Sequence, residues 1–211
     1  MTERDAENFV NNVLNEGERQ AIEHALTFPK PWTHEQFQEP IKSSLESAKS
    51  KIKNLHVQIT TNKCCYCRRS LNDANIETDR EHIVPKGKVK SLAYNIFNLS
   101  VSCKRCNMTY KGEKVDHIIG YNTIEADLRN PDRYRIPHPN IDEYERHITR
   151  TSIQFDSTEI TTYKCHSVKG SFLYTFVRLD KLCVNQLDEA QGGKKANERI
   201  AEIFGFPVEG I

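Results

Sequence analysis

No stretch of about 18 apolar residues occurs in this 211-residue chain, so an ordinary membrane-spanning helix is excluded. The first residues, Thr2 to Asn8, are charged and polar and lack the apolar core of a secretory signal, so a cytoplasmic protein is expected. No G-x-x-x-x-G-K-[S/T] string is present, and any nucleotide-driven step is expected to come from another chain. There is no internal repeat and no low-complexity tract. The seven cysteines, in a reducing compartment, are expected to be metal ligands and core residues rather than disulfides. The length suits one sizeable core, or one core plus a small subdomain.

The formal net charge of +1 hides an asymmetry. From Lys49 to Lys114 there are 14 Lys/Arg against 5 Asp/Glu, whereas the remainder holds 16 against 24. A basic segment of this kind suits a polyanion, because Lys/Arg contacts to phosphate release counterions.

Phe9, Val10, Val13, Leu14, Ile22, Ala25 and Leu26 recur at helical spacing and predict two helices. Phe28-Pro29-Lys30-Pro31 breaks the pattern. Thr33 and Gln36 have the spacing of a capping box, which predicts that the next helix opens there. Ile41, Leu45, Ala48, Ile52, Leu55 and Ile59 then alternate by four and three. That seam either packs on the preceding helices or joins a homodimer through the 41-59 helix.

In the middle, Ile76 to Val84 predicts a short strand leading into Glu81-His82, Pro85-Lys86-Gly87 a turn, and a helix starting near Cys103 or Lys104. After the Pro-rich crossing Ile136 to Asn140, a short helix is expected from Ile141 to Ile148. Strands are expected at Ile153 to Phe155, Ile160 to Cys165 and Phe172 to Val177, with a turn at Lys169-Gly170. Leu187 to Phe204 reads as a helix interrupted by Gly192-Gly193. The expected class is α+β: a helical N-terminal region over 1-62, a zinc-braced core over 63-118, and a strand-and-helix region over 119-211.

Zinc prefers four tetrahedral ligands, and Cys-x-x-Cys brings two thiolates onto one turn. Cys64/Cys67 and Cys103/Cys106 supply two such turns, which predicts a structural zinc site. Cys65 lacks the two-residue gap and is expected to point away. Four thiolates on one divalent cation carry excess negative charge, and Lys63, Arg68, Arg69, Lys104 and Arg105 are placed to neutralise it. Lys86, Lys88, Lys90, Lys111 and Lys114 lie further out and are the candidate phosphate contacts.

Between and after the cysteine pairs stand Glu81-His82-Ile83-Val84-Pro85, Asn98-Leu99, Asn107 directly after Cys106, and Lys111-Gly112. Taken together with the cysteines, in this order, residues 63 to 114 resemble an HNH endonuclease. The resemblance implies a ββα-metal finger, a β-hairpin and a helix clasping one catalytic divalent ion, here beside a structural zinc. Carried over by position, it implies His82 as general base, Glu81 and Asn107 as metal ligands, and Asn98 as a brace for the loop that orients His82. Glu81 stands where many members have Asp. Lys111, four residues beyond Asn107, would share its helix face and reach a phosphate. Small HNH proteins with helical N-termini also resemble the nuclease halves of bacterial anti-phage systems such as Septu-type pairs, which implies an ATPase partner; the alternative context is a stand-alone restriction-like or phage nuclease.

The chemistry agrees with that likeness. A neutral imidazole suits water activation near neutral pH. One acid and one amide oxygen leave most coordination positions to water and phosphate, the habit of Mg²⁺ or Mn²⁺ rather than zinc. The reading is a metal-dependent endonuclease acting on DNA. The competing one is a non-catalytic zinc module that binds nucleic acid or a protein partner. A second acid–His pair, Asp116-His117, has no proline turn or cysteine pair after it and is read as a histidine at a helix end. His138, between two prolines, is read as structural.

Overall fold

The computed structural model describes residues 1–72, 78–155 and 158–183. The helix expected from Leu187 to Phe204 lies outside the described residues. No helix among them is long and apolar enough to cross a membrane.

Two reciprocal caps open the N-terminal helices. The Asp5 N–H donates to the Thr2 hydroxyl while the Asp5 carboxylate accepts from the Thr2 N–H, starting α1 (Glu3–Asn8). A wide turn, Phe9–Val13, carries the chain on. Asn15 and Glu18 repeat the arrangement at α2 (Glu16–Leu26). The buried Glu18 carboxylate also accepts from Ser47 Oγ at 2.6 Å and Lys51 Nζ at 2.8 Å, tying α2 to α3 (Ile41–Ile59).

The cap expected at Thr33 does not form. Only one 3₁₀ turn, His34–Gln36, follows it, and Thr33 makes no capping bond. Gln36 instead donates to the Lys30 carbonyl at 2.7 Å, and α3 opens past Pro40. Leu45, Ala48 and Ile52 of the apolar seam are buried against Leu14, Ala21, Ala25 and Phe37 on one side and Ala93, Tyr94, Ile96 and Leu99 on the other. The centre of the seam packs within the chain, the first of the two alternatives, while Ile41, Leu55 and Ile59 are half-buried.

β1 (Thr78–His82) and β2 (Leu99–Cys103) form an antiparallel pair, Thr78 opposite Cys103 and His82 opposite Leu99. A short, widely wound helix, Arg105–Lys111, follows at once. It ends at Gly112, whose φ of 52° lies in the left-handed region that glycine enters freely.

β3 (Ile148–Phe155) and β4 (Thr158–Cys165) make a second antiparallel pair, and α4 (Val168–Phe176) follows. Three expectations are corrected here. Ile141 to Ile148 holds one turn, Tyr144–Arg146, before Ile148 enters β3. Phe172 to Val177 belongs to a helix and not a strand: Ser167 Oγ caps the Gly170 N–H at 3.2 Å, and Phe172 and Phe176, four apart, stack at 5.7 Å. Lys169-Gly170 is therefore inside α4. Gly170 is needed there because a Cβ would collide with the His147 carbonyl.

Three apolar clusters hold these parts together. One joins the Phe9–Val13 turn, α2 and α3 to the end of the β1–β2 loop. The second packs Tyr144, Ile148, Tyr163, Leu173, Val177 and Leu179 around the cysteines. The third, with Ile83, Val84, Leu92, Ile118, Ile124 and Tyr134, lies under the loop that follows His82. The middle segment thus shares a core with each flanking region.

Candidate functional site

The four thiols converge. Cys64, Cys67, Cys103 and Cys106 are buried, and their sulfurs all lie within 4.8 Å of one another. Cys67 and Cys103 sulfurs are 3.8 Å apart. Four sulfurs about 2.3 Å from a tetrahedral zinc would stand about 3.8 Å from each other, so the donor set fits that ion. Cys65 is buried and outside the group of four, its N–H on the Val101 carbonyl, but its thiol contacts Cys64 and does not point away. Arg105 reaches Cys106 Sγ at 3.9 Å and the Val177 and Arg178 carbonyls, linking cage charge to the C-terminal region. Tyr144 and Tyr163 donate to the carbonyls of Tyr66 and Cys67, so the first knuckle is gripped from the same side.

Strand alternation divides β1 into two faces. Asp79 and Glu81 face the helix Arg105–Lys111. Glu81 is sealed from solvent; its Oε1 accepts from Lys111 Nζ at 2.7 Å and from the Tyr66 hydroxyl at 3.1 Å, while Oε2 is buried with no partner. Burial raises the Glu81 pKa, and Lys111 opposes that rise. Lys111 is itself 2% exposed, so it is an internal counter-ion rather than the surface phosphate contact the spacing suggested. Asn107 donates to Asp79 Oδ2 at 3.1 Å. Asn107 and Lys111 do share a face, but it meets two different carboxylates. Among the described residues no hydrogen bond joins Glu81 to Asn107. As placed, this pair does not fit a hydrated Mg²⁺ or Mn²⁺ ion, since a lysine ammonium stands against the acid.

Arg80 and His82 face the other way. His82 is buried, its Nε2 bonded to the Ala93 carbonyl at 3.0 Å. A carbonyl only accepts, so Nε2 carries the proton and Nδ1 holds the free lone pair. Nδ1 has no partner among the described residues and is not fully sealed, unlike His117 Nδ1 and His138 Nε2, although the residue as a whole is buried. Burial, then the charge of Lys86, lowers the His82 pKa to about 3, so the ring is neutral at working pH. Asn98 closes the loop between His82 and β2. Its Oδ1 accepts from the Val84 N–H at 2.7 Å, and its Nδ2 donates to the Val84 and Leu92 carbonyls, both at 3.0 Å.

Lys86, Lys88, Lys90 and Lys114 are exposed. His117 is a buried core residue, bonded to the Ile83 carbonyl at 2.8 Å, and not a helix end. His138 is structural, with Nδ1 accepting from the Asn140 N–H and its ring against Tyr134.

Three residues beside His82 were not singled out by sequence reasoning. Trp32 meets the His82 ring edge-on at 4.5 Å. Lys49, buried, donates to the Trp32 carbonyl at 2.5 Å and contacts His34 Nδ1 at 2.9 Å. Burial, then Arg80, pushes the Lys49 pKa down to about 8. Arg80 lies over the Trp32 ring at 6.0 Å. Arg80, two before His82 on a strand, was readable from alternation; Trp32 and Lys49 carried no local signal. A cavity of about 1010 Å³ lies elsewhere, between α1 and the 125–130 turn, where Glu3, Glu7, Glu125 and Asp127 outnumber Arg129 in the wall.

Among known proteins, the chain is 29% identical over 137 residues to the Septu protein PtuB of Bacillus thuringiensis. The match takes in 65% of this chain and 42% of that relative, so the chain spans less than half of the relative's length. No family model matches the sequence. No solved structure matches it either.

Proposed function

We propose that this protein is an HNH-type endonuclease hydrolysing phosphodiester bonds in DNA, with His82 as the base that activates water. The observation that carries this reading is the posture of one ring: Nε2 is held by Ala93, and Nδ1 is unpaired among the described residues and not fully sealed. A water at Nδ1 gives up a proton as its oxygen attacks phosphorus, and the opposite P–O bond breaks. The exposed Lys86, within electrostatic reach of His82, offsets charge on the phosphate oxygens. The neutral ring is a weak base because it is buried near cations, Lys86 first; an approaching phosphate raises its pKa by favouring the imidazolium. The β1–β2 hairpin, the helix after it and the thiolate cage support the ββα reading. Asn98 supports it as the brace of the loop. No step runs through a divalent ion, because Glu81 faces Lys111.

The likeness to PtuB supports a place in Septu-type bacterial defence, acting with another Septu component. From the sequence resemblance we infer that this component is an ATPase. One observation favours the competing reading, a non-catalytic zinc module: the carboxylate beside His82 in sequence is sealed. Plasmid DNA incubated with the zinc-loaded protein in EDTA, Mg²⁺ or Mn²⁺, alone and with the co-expressed partner, separates the two. Nicked or linear DNA is expected in at least one arm. Tight binding with intact plasmid in every arm selects the zinc module.

A further inference from the structure

We propose that Trp32 is a stacking platform for an unpaired nucleobase beside His82, with Arg80 taking the phosphate attached to that base. The inference rests on the nuclease reading for its purpose, but its binding test does not depend on cleavage.

The geometry begins with β1. Arg80 and His82 are two apart and point to the same face. Trp32, arriving from the Pro-rich break after α2, lies across both: edge-on to His82 at 4.5 Å and beneath the Arg80 guanidinium at 6.0 Å. A second cation, Lys49, stands 4.7 Å from the same ring. Packing alone accounts for one side of the indole, which meets Tyr94 at 4.9 Å. Packing does not account for the cations. Burying the Lys49 ammonium beside Arg80 is unfavourable, and only the exposed Glu35 and Glu46 offset it. The acids near Lys49, Glu35 and Glu46, are exposed and contact His34, at 3.5 and 2.9 Å. Arg80 is exposed and makes no ion pair among the described residues.

A half-buried indole with cations over its ring, the exposed Arg80 furthest out at 6.0 Å, has the chemistry of single-strand recognition. Any base can stack on an aromatic face, and arginine takes the adjoining phosphate. A base inside an intact duplex cannot reach such a platform, so the substrate class is DNA that is single-stranded or locally unpaired. The N-terminal region thereby becomes part of the site, as the element that positions the strand against His82.

Trp32 is the chain's single tryptophan, so its emission reports on the platform directly. Full-length, zinc-loaded protein is titrated with an unlabelled oligothymidine and with a duplex of equal length, in EDTA, while anisotropy of a labelled strand measures binding independently. Saturable quenching by the single strand, clearly deeper than by the duplex, is expected. Trp32→Ala should weaken single-strand binding about tenfold, and Trp32→Phe should restore most of it at unchanged zinc content. If Trp32→Ala does not fold, Arg80→Gln and the wild-type quench carry the test. Binding without quenching, no binding at all, or wild-type affinity in the folded Trp32→Ala protein overturns the proposal. Quenching without cleavage in any metal removes the nuclease reading and leaves the platform; cleavage without quenching does the reverse.

Discussion

The His82 ring and the Ala93 carbonyl, eleven residues apart, are joined by a 3.0 Å hydrogen bond. The bond fixes both the tautomer and the setting of the ring, so the lone pair on Nδ1 is the one left free. What keeps Ala93 in place is the loop between the two strands, and Asn98 closes that loop.

Asn98→Ala is therefore expected to loosen the His82 setting and the fold together. It strands one N–H and two carbonyls in a buried place. The expected loss of stability is about 2–4 kcal/mol, at about 1–3 kcal/mol for each unsatisfied buried group that fails to relax. Urea denaturation measures it; a change below about 0.5 kcal/mol, the range of an ordinary surface substitution, would mean the clasp is not formed.

The Glu81–Lys111 pair behaves differently from a surface bridge, because both partners are sealed. Lys111→Met leaves a buried carboxylate alone and should cost about 3–5 kcal/mol. The double variant Lys111→Met with Glu81→Leu removes the charge as well and should recover most of that loss. Thermal and urea unfolding of the three proteins form the test, and additive losses in the double variant would show that the two residues are not coupled.

At the cage, about one zinc per chain is expected by elemental analysis. Cys106→Ser should lower zinc content and loosen the C-terminal region too, since Tyr144, Ile148, Tyr163 and Leu173 pack around the cysteines. Near-ultraviolet circular dichroism follows those tyrosines. Retention of a native signal after complete zinc removal would show that the cage does not brace this core.

Much of this was legible in the sequence, and the misses share a cause. The cage could be read because Cys-x-x-Cys is a local geometry. The α3 seam was legible as a helix because its period is local, yet its partner was not, since Ala93 and Leu99 arrive from elsewhere in the chain. Phe172 to Val177 looked like a strand because an apolar run has no period of its own, and the deciding Ser167 cap lay outside it. Lysine is usually a surface cation; only the tertiary meeting with Glu81 makes Lys111 internal. Trp32 sits in a break between helices, where no pattern says what it will touch. Glu81 and Asn107 were expected at one ion because their order matched a motif, but order does not fix the side chain that each meets.

Acid should unfold the protein early. Burial lowers the pKa of His56 to about 4 and those of His117 and His138 to about 3. Their unfolded value is about 6.5, so the contribution is fully present above that pH and erodes as pH falls toward the folded values. Between pH 6.5 and 5 each should withdraw about 2 kcal/mol, at about 1.4 kcal/mol per pH unit. Urea midpoints at pH 7, 6 and 5 check this, and equal midpoints at pH 7 and 5 would show that the histidines are already charged or exposed in the fold.

His82 carries the central claim, and single-turnover cleavage by His82→Ala tests it most directly, using whichever metal supports wild-type activity and a partner if one is required. The expected rate is lower by at least about a hundredfold, the low end for losing a general base, with zinc content and DNA affinity retained. Cleavage at the wild-type rate by a folded, zinc-loaded His82→Ala protein would contradict the account.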